Sequence, residues 1–386
     1  MKIVIVIDLI DLRTNGSVMT ALRFADGLKA RGHEVKIVAI GSEDCPLEER
    51  YLPVVTPVSA KNQIKFGKFD KEKIKKTFEG ADIVHCIFPF MLEKKCKFLA
   101  DEMGIPVTTA FHVQPENFSY NMGLGQSTFI SNIIYAFFRS KYYKHFTRIH
   151  CPSACIARQL EKHNYKGEIY VISNGYDKDF VPPAVKRQND KFEIVMVGRL
   201  APEKNQKVLI SAIGMCRYRD KIRLTLLGNG PKKKKLQKQA EKLNVNLAFD
   251  FMNKQQLIEK LQQSDLYVHS SKCETEAIAC LEAIACGLVP VVADSPLSAT
   301  PQFTLDKRSL FKNDNAVSLA QQIEYWYEHP EEREKMGKLY AQSAKKYSLD
   351  NSVLLAERMF ADQIADSKSA PSYTEVPKKA KATNKI

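Results

Sequence analysis

The sequence predicts an α/β protein built from two Rossmann-like, doubly wound parallel-sheet domains that face a central cleft. Three observations carry this. Apolar strand runs alternate with amphipathic helical stretches from Ile3 onward, and strand–helix units of that spacing make parallel sheets covered on both faces. The alternation breaks at Val181-Pro182-Pro183 and the polar stretch Lys186 to Lys191, a linker composition, and restarts at Phe192. The chain has 386 residues, too many for one ordinary core.

In the first half, Ile3 to Ile7 is a strand, Val18 to Arg31 an amphipathic helix, and Gly32-His-Glu turns into the strand Val35 to Ile40. Asp82 to Cys86 is the next strand, Leu92 to Met103 a helix and Val107 to Phe111 a strand. After a basic, aromatic segment come strand Arg148 to Cys151, helix Ser153 to His163 and strand Ile169 to Ile172. The second half gives strands Phe192 to Val197, Ile222 to Leu227, Leu247 to Phe251, Leu266 to His269 and Val289 to Ala293. Helices Lys204 to Met215, Lys232 to Leu243 and Lys254 to Gln263 lie between the earlier strands, and Asn315 to Glu328, Glu331 to Tyr347 and Asn351 to Ile364 close the chain. The expected domains are 1–182 and 183–345, with a helix at 346–365 packing back on the first domain. Residues 366–386, poor in large apolar side chains, read as a disordered basic tail.

Apolar content of 44% and charged content of 26% are those of a soluble globular chain. Met1-Lys2 leads directly into a strand run without a cleavage site, so no signal peptide is expected. No stretch approaches 18 uninterrupted apolar residues, the length of a membrane-spanning helix. Nine cysteines, an odd number scattered through strands and helices, read as reduced thiols of a cytoplasmic protein. Cys151-Pro-Ser-Ala-Cys155 has the wrong spacing for zinc, and no metal or other cofactor is expected.

The net charge of +14 calls for an anionic partner: nucleotide phosphate, anionic lipid or nucleic acid. Its distribution helps to choose. From Phe118 to Leu160 there is no Asp or Glu, while Arg139, Lys141 and Lys144 interleave with Phe137, Phe138 and other apolar residues. That mixture suits an interfacial segment meeting an anionic membrane surface, though a helix packed on its own domain with a basic edge has the same composition. No nucleic-acid partner is expected.

The most informative run is Cys273 to Asp294. Glu274 and Glu282 stand eight residues apart, about 12 Å along a helix axis. Free amides near Ala277, Ile278 and Ala279, at the positive end of a helix, favour a diphosphate. A carboxylate, an anion site and a second carboxylate, in that order, suit a nucleotide-sugar.

With Asn15-Gly16-Ser17, Phe111-His112, Ser173-Asn174-Gly175-Tyr176-Asp177 and Gly198-Arg199-Leu-Ala-Pro-Glu-Lys204, this run resembles the retaining GT-B glycosyltransferases of family 4, from Met1 to about Ile364. The resemblance implies a nucleotide-sugar donor held between the domains. Arg199 and Lys204 would hold its phosphates and offset developing charge. Glu274 would lie near the transferred sugar, Glu282 would accept the ribose hydroxyls, and His112 would orient the donor from the first domain. Gly16 and Ser17 would let the first loop approach the donor phosphates closely; Asn174, in a tight turn, Gly198 and Gly228 would also bind the donor. The residues leave open whether Glu274 attacks or stabilises an oxocarbenium ion; front-face transfer, with the diphosphate taking the acceptor's proton, is favoured. Thr275-Glu276-Ala277 departs from the Gly/Ser–Phe–Gly-like stretch common in the family, and Glu276 adds negative charge where the diphosphate would approach.

A UDP-hexose, UDP-glucose or UDP-galactose, is the donor expected of this family. Asn15 to Thr20 and His112 to Tyr143 resemble bacterial enzymes that glycosylate diacylglycerol and related lipids, implying a lipid acceptor and a peripheral place on the inner face of the cell membrane. A soluble or polysaccharide acceptor is the alternative. A nucleotide-sugar epimerase would share the architecture without the Glu274/Glu282 pairing.

Overall fold

The computed structural model describes residues 1–11, 16–51, 65–117, 127–185 and 189–369. Asn15, Phe118 to Tyr120, part of the Lys186 to Lys191 stretch and the tail beyond residue 369 lie outside them.

Seven strands form the first sheet: β1 (Lys2–Leu9), β2 (Glu34–Ile40), β3 (Cys45–Pro46), β4 (Ile83–Cys86), β5 (Val107–Ala110), β6 (Arg148–Cys151) and β7 (Glu168–Val171). Their spatial order is β3-β2-β1-β4-β5-β6-β7, all parallel. Six form the second: β8 (Phe192–Val197), β9 (Ile222–Leu227), β10 (Leu247–Asp250), β11 (Leu266–His269), β12 (Pro290–Asp294) and β13 (Leu310–Lys312), in the order β10-β9-β8-β11-β12-β13, again all parallel. β1 and β8 are buried along nearly their whole length because helices cover both faces. Each sheet has its own apolar core. The order turns back beside β1 and β8, and such reversal points open crevices at the carboxyl ends of strands.

The chain crosses between the lobes twice, and the two passages touch. Tyr176 N donates to the Tyr347 carbonyl at 3.2 Å, and the Tyr176 carbonyl accepts from Leu349 N at 3.1 Å. Gly175 (φ 75°) makes the approach possible, since a Cβ there would lie 2.6 Å from Leu349 Cα. The closing helix, Leu349–Ser369, puts Val353, Ala356, Met359 and Phe360 into the first core. It extends past the expected end at 365, so residues 366–369 are helical and not part of a disordered tail. Arg148 holds that last turn through Asp366 at 2.7 Å.

The sequence reading missed β3 and β13, both of three residues or fewer, and the helix Lys71–Phe78. Lys204 does not open the following helix. It ends a 3₁₀ turn (Pro202–Lys204), and Asn205 in the left-handed region separates it from Gln206–Met215. That kink turns the Lys204 side chain back over Gly198.

Candidate active site

Loops at the carboxyl ends of the two sheets meet. Gly228 and Gly230 let the turns after β8 and β9 lie against one another: a Cβ on Gly228 would be 2.1 Å from the Gly198 carbonyl oxygen. This contact fixes the segment that carries Arg199 and Lys204.

Lys204 forms an ion pair with Oε1 of Glu274. The same oxygen accepts from Nε2 of His269 at 2.8 Å, and His269 Nδ1 shares a hydrogen bond with Tyr267 Oη at 2.8 Å. Burial alone would raise the Glu274 carboxyl, but the Lys204 ammonium and the His269 hydrogen bond outweigh it and hold the group well below the usual carboxylate range. Arg199, half exposed, pairs with the buried Glu203 at 2.7 Å. The cation that neutralises Glu203 is therefore Arg199, which leaves Lys204 to Glu274.

Leu297 ties this group to the first lobe. Its carbonyl oxygen accepts from Glu274 N at 3.1 Å and from Gln114 Nε2 at 2.9 Å. Gln114 lies two residues beyond His112, which is buried at the end of the β5 segment. Burial, then the neighbouring His150 ring, lowers the His112 imidazole to about 3, so it is neutral, and its Nε2 has no hydrogen-bond partner.

Glu282, in the helix Ile278–Ala285, is buried and faces Arg23 of the first lobe at 3.6 Å. Burial raises its carboxyl, and Arg23 opposes that rise. Ala277 precedes the helix in the left-handed region (φ 71°), the conformation that glycine takes most readily. The first amides of the helix, at Ile278 and Ala279, lack intrahelical acceptors by construction. Gly16 begins the helix Gly16–Ala30 and is exposed; Ser17 is half-buried. Asn174 is buried beside the lobe crossing.

Glu276 points away from the helix start and into the first lobe. It is 1% exposed, and its Oε2 accepts from Asn174 N at 2.8 Å. Around it, Ser153 Oγ donates to the Thr275 carbonyl at 2.6 Å and Ala154 N donates to Gln302 Oε1 at 3.2 Å.

The basic, aromatic segment is the helix Thr128–Lys141. Its inner face buries Ser131, Tyr135 and Phe138; its outer face exposes Phe129 (72%), Ile133 (51%) and Phe137 (56%), spaced four residues apart. Phe138 is thus a core residue and not part of a surface face, because it lies one position round the helix from Phe137. Arg139 donates to the His163 carbonyl at 2.7 Å, so its guanidinium turns inward, while Lys141 and Lys144 are exposed. Tyr135 Oη donates to Glu116 at 3.2 Å, joining this helix to the His112 loop.

Sequence reasoning missed His269 and Arg23. His269 carried a signal, a histidine closing a strand five residues before Glu274; Arg23, inside an ordinary helix pattern, carried none. All nine cysteines are free and buried. Among the described residues no group of three or more His, Cys, Asp or Glu is placed to hold a metal ion, and no helix is long and apolar enough to cross a membrane. A cavity of about 770 Å³ lined by Phe192, Asp265 and Arg333 lies at the amino ends of the second sheet's strands, away from the crevice where sheets of this kind bind ligands.

Two family profiles match in tandem: Glycosyltransferase Family 4 over residues 14–180 and Glycosyl transferases group 1 over residues 177–342. Among curated proteins the chain is similar to alpha-monoglucosyldiacylglycerol synthase from Streptococcus pneumoniae (25% identical, 69% of this chain and 65% of that protein) and from Acholeplasma laidlawii (23% identical, 91% and 94%). The chain thus spans just under two thirds of the first of these. Sucrose-phosphate synthase from Thermosynechococcus elongatus shares the fold at 14% identity (TM-score 0.73, 95% of this chain and 100% of that one). A 52% identical match covers 41% of this chain and 99% of the catalytic domain of cholesterol-alpha-glucosyltransferase from Helicobacter pylori, with a TM-score of 0.40.

Proposed function

Because this chain belongs to the family 4, group 1 glycosyltransferases of the GT-B fold, we propose that it is a retaining hexosyltransferase. It moves a hexose from a nucleotide-sugar, UDP-glucose or UDP-galactose, to a lipid hydroxyl such as that of diacylglycerol, forming an α-glycolipid. The observation that carries the chemical reading is the Lys204–Glu274–His269 cluster, anchored through Leu297 to the lobe that bears His112.

A carboxylate kept ionised in a buried site stabilises positive charge at the sugar carbon as its bond to the diphosphate stretches. Lys204 and Arg199 offset the charge that builds on the leaving diphosphate, and the amides at Ile278 and Ala279 add partial positive charge. In front-face transfer the diphosphate takes the proton from the acceptor hydroxyl, which approaches on the side it leaves. His112, neutral and with Nε2 available, accepts or donates one hydrogen bond to the sugar. Glu282, partly neutralised by Arg23, accepts ribose hydroxyls.

The acceptor reading rests on the helix Thr128–Lys141. Three exposed apolar side chains in a row, with Lys141 and Lys144 at one end, suit insertion at an anionic lipid surface. The enzyme would then be a peripheral protein on the inner face of the cell membrane. The two synthases similar to this chain are named for diacylglycerol. The test is mass-detected transfer from a panel of nucleotide-sugars, with and without anionic vesicles containing diacylglycerol or cholesterol. Product that requires vesicles supports the lipid acceptor; product on soluble sugars or polysaccharide alone rejects it.

A further inference from the structure

Glu276 stands where its charge would oppose a diphosphate, yet its side chain is delivered to the other lobe. It enters between the ends of β6 and β7, and the Asn174 amide closes on its Oε2 at 2.8 Å. Oε1 of Glu276 and Oδ1 of Asn174 are both buried with no hydrogen-bond partner, although the Asn174 side chain faces the carboxyl group. A carboxyl group buried this deeply is less costly protonated than charged. The flanking residue repeats the crossing, through Ser153 Oγ to the Thr275 carbonyl.

We propose that Glu276 is a positioning residue that latches the lobes: by gripping the Ser173–Gly175 turn, its carboxyl group fixes the 273–279 loop so that Glu274 faces the bound donor. This rests on the reading of Glu274 as the residue nearest the transferred sugar. Glu276 follows Glu274 by two residues across a bend at Thr275, and Glu274 itself is bridged to Ser298, so a hold on Glu276 constrains the backbone that carries Glu274.

Burial raises the Glu276 carboxyl from 4.5 to about 8, against hydrogen bonds from Ser173 and Asn174 that lower it. A raised folded value means the proton-bound contact is complete at low pH and is lost as pH rises through about 8. Of the titratable groups on the surrounding elements, Cys151 at the end of β6 faces it; burial pushes that thiol up to about 12, so it stays neutral throughout.

The experiment compares the full chain with Glu276→Gln and Glu276→Ala from pH 6.5 to 9.5, reading the radius of gyration by small-angle X-ray scattering and hexose release from the donor. Wild type should expand and lose kcat about tenfold per pH unit above the midpoint. Glu276→Gln, a permanent neutral mimic, should stay compact and keep its rate across the range, whereas Glu276→Ala should be expanded throughout. The same alkaline limb in wild type and Glu276→Gln would overturn the proposal, as would a compact, fully active Glu276→Ala. A failure of the Glu274 reading would instead appear as normal turnover in Glu274→Ala, with the scattering results unchanged.

Discussion

Lys204 and Glu274, seventy positions apart in the chain, form an ion pair at the carboxyl edge of the second sheet, and His269 completes it from the end of β11. Both charges are largely shielded from solvent, with side-chain exposures of 19% and 10%. Removing one partner of such a pair leaves the other charge stranded. Lys204→Ala should therefore destabilise the fold by about 3 kcal/mol. Adding Glu274→Ala should recover part of that loss, giving a non-additive double-mutant cycle in denaturant melts. Additive losses would show that the two side chains do not interact.

The same pair sets a pH dependence. Glu274 is depressed below its ordinary value of 4.5 in the fold, so its contribution to stability is present above that value and fades as pH falls below it. The stability gap between wild type and Lys204→Ala should hold from pH 8 to pH 6 and narrow below about pH 4.5. A gap that widens in acid contradicts the assignment.

Asp8 and Glu93 give the opposite sign. They face one another at the end of β1, both almost fully buried, with Gly67 N donating to Asp8 at 2.8 Å. Burial raises Asp8 to about 6, and burial together with the Asp8 charge raises Glu93. Their contribution is complete in acid and fades as pH rises through about 6 and beyond. Glu93→Gln should flatten the fall in melting temperature between pH 5.5 and pH 8; an unchanged slope would place the titration elsewhere.

On the helix Thr128–Lys141, neighbouring phenylalanines should behave differently. Phe129→Ser with Phe137→Ser should abolish vesicle flotation while sparing the melt and donor hydrolysis. Phe138→Ala should cost about 3–5 kcal/mol, since it opens a cavity in the first core. Charge reversal at Lys141 and Lys144 should weaken flotation in a salt-dependent way. Normal flotation of the double serine variant would remove the membrane role of this face.

Ala277 holds a left-handed backbone that glycine adopts without strain. Ala277→Gly should raise stability by about 0.5–1 kcal/mol, and Ala277→Val should lower it by more than that.

Much of the architecture was legible because strands such as Ile3 to Ile7 and Phe192 to Val197 are apolar throughout, which only a sheet covered on both faces tolerates. Glu274, Arg199 and Lys204 were legible as candidates through motifs that resemble family 4, in loops that follow strands of the second sheet. What escaped the sequence was partnership. Nothing in local pattern says that Lys204 meets Glu274 while Arg199 meets Glu203, since the choice is made by the left-handed kink at Asn205. Nor could it show that Glu276 leaves the helix start for Asn174, or that Phe138 turns inward while Phe137 faces solvent. The short strands β3 and β13 were invisible because two or three residues carry no periodicity.

The most direct test is single-turnover hexose transfer from the nucleotide-sugar identified in the donor panel, comparing wild type with Glu274→Gln under saturating donor. A loss of about a hundredfold or more in rate, with nucleotide affinity retained and the fold intact by circular dichroism, is the predicted result. A rate within a few-fold of wild type would contradict the placing of the reacting sugar beside Glu274.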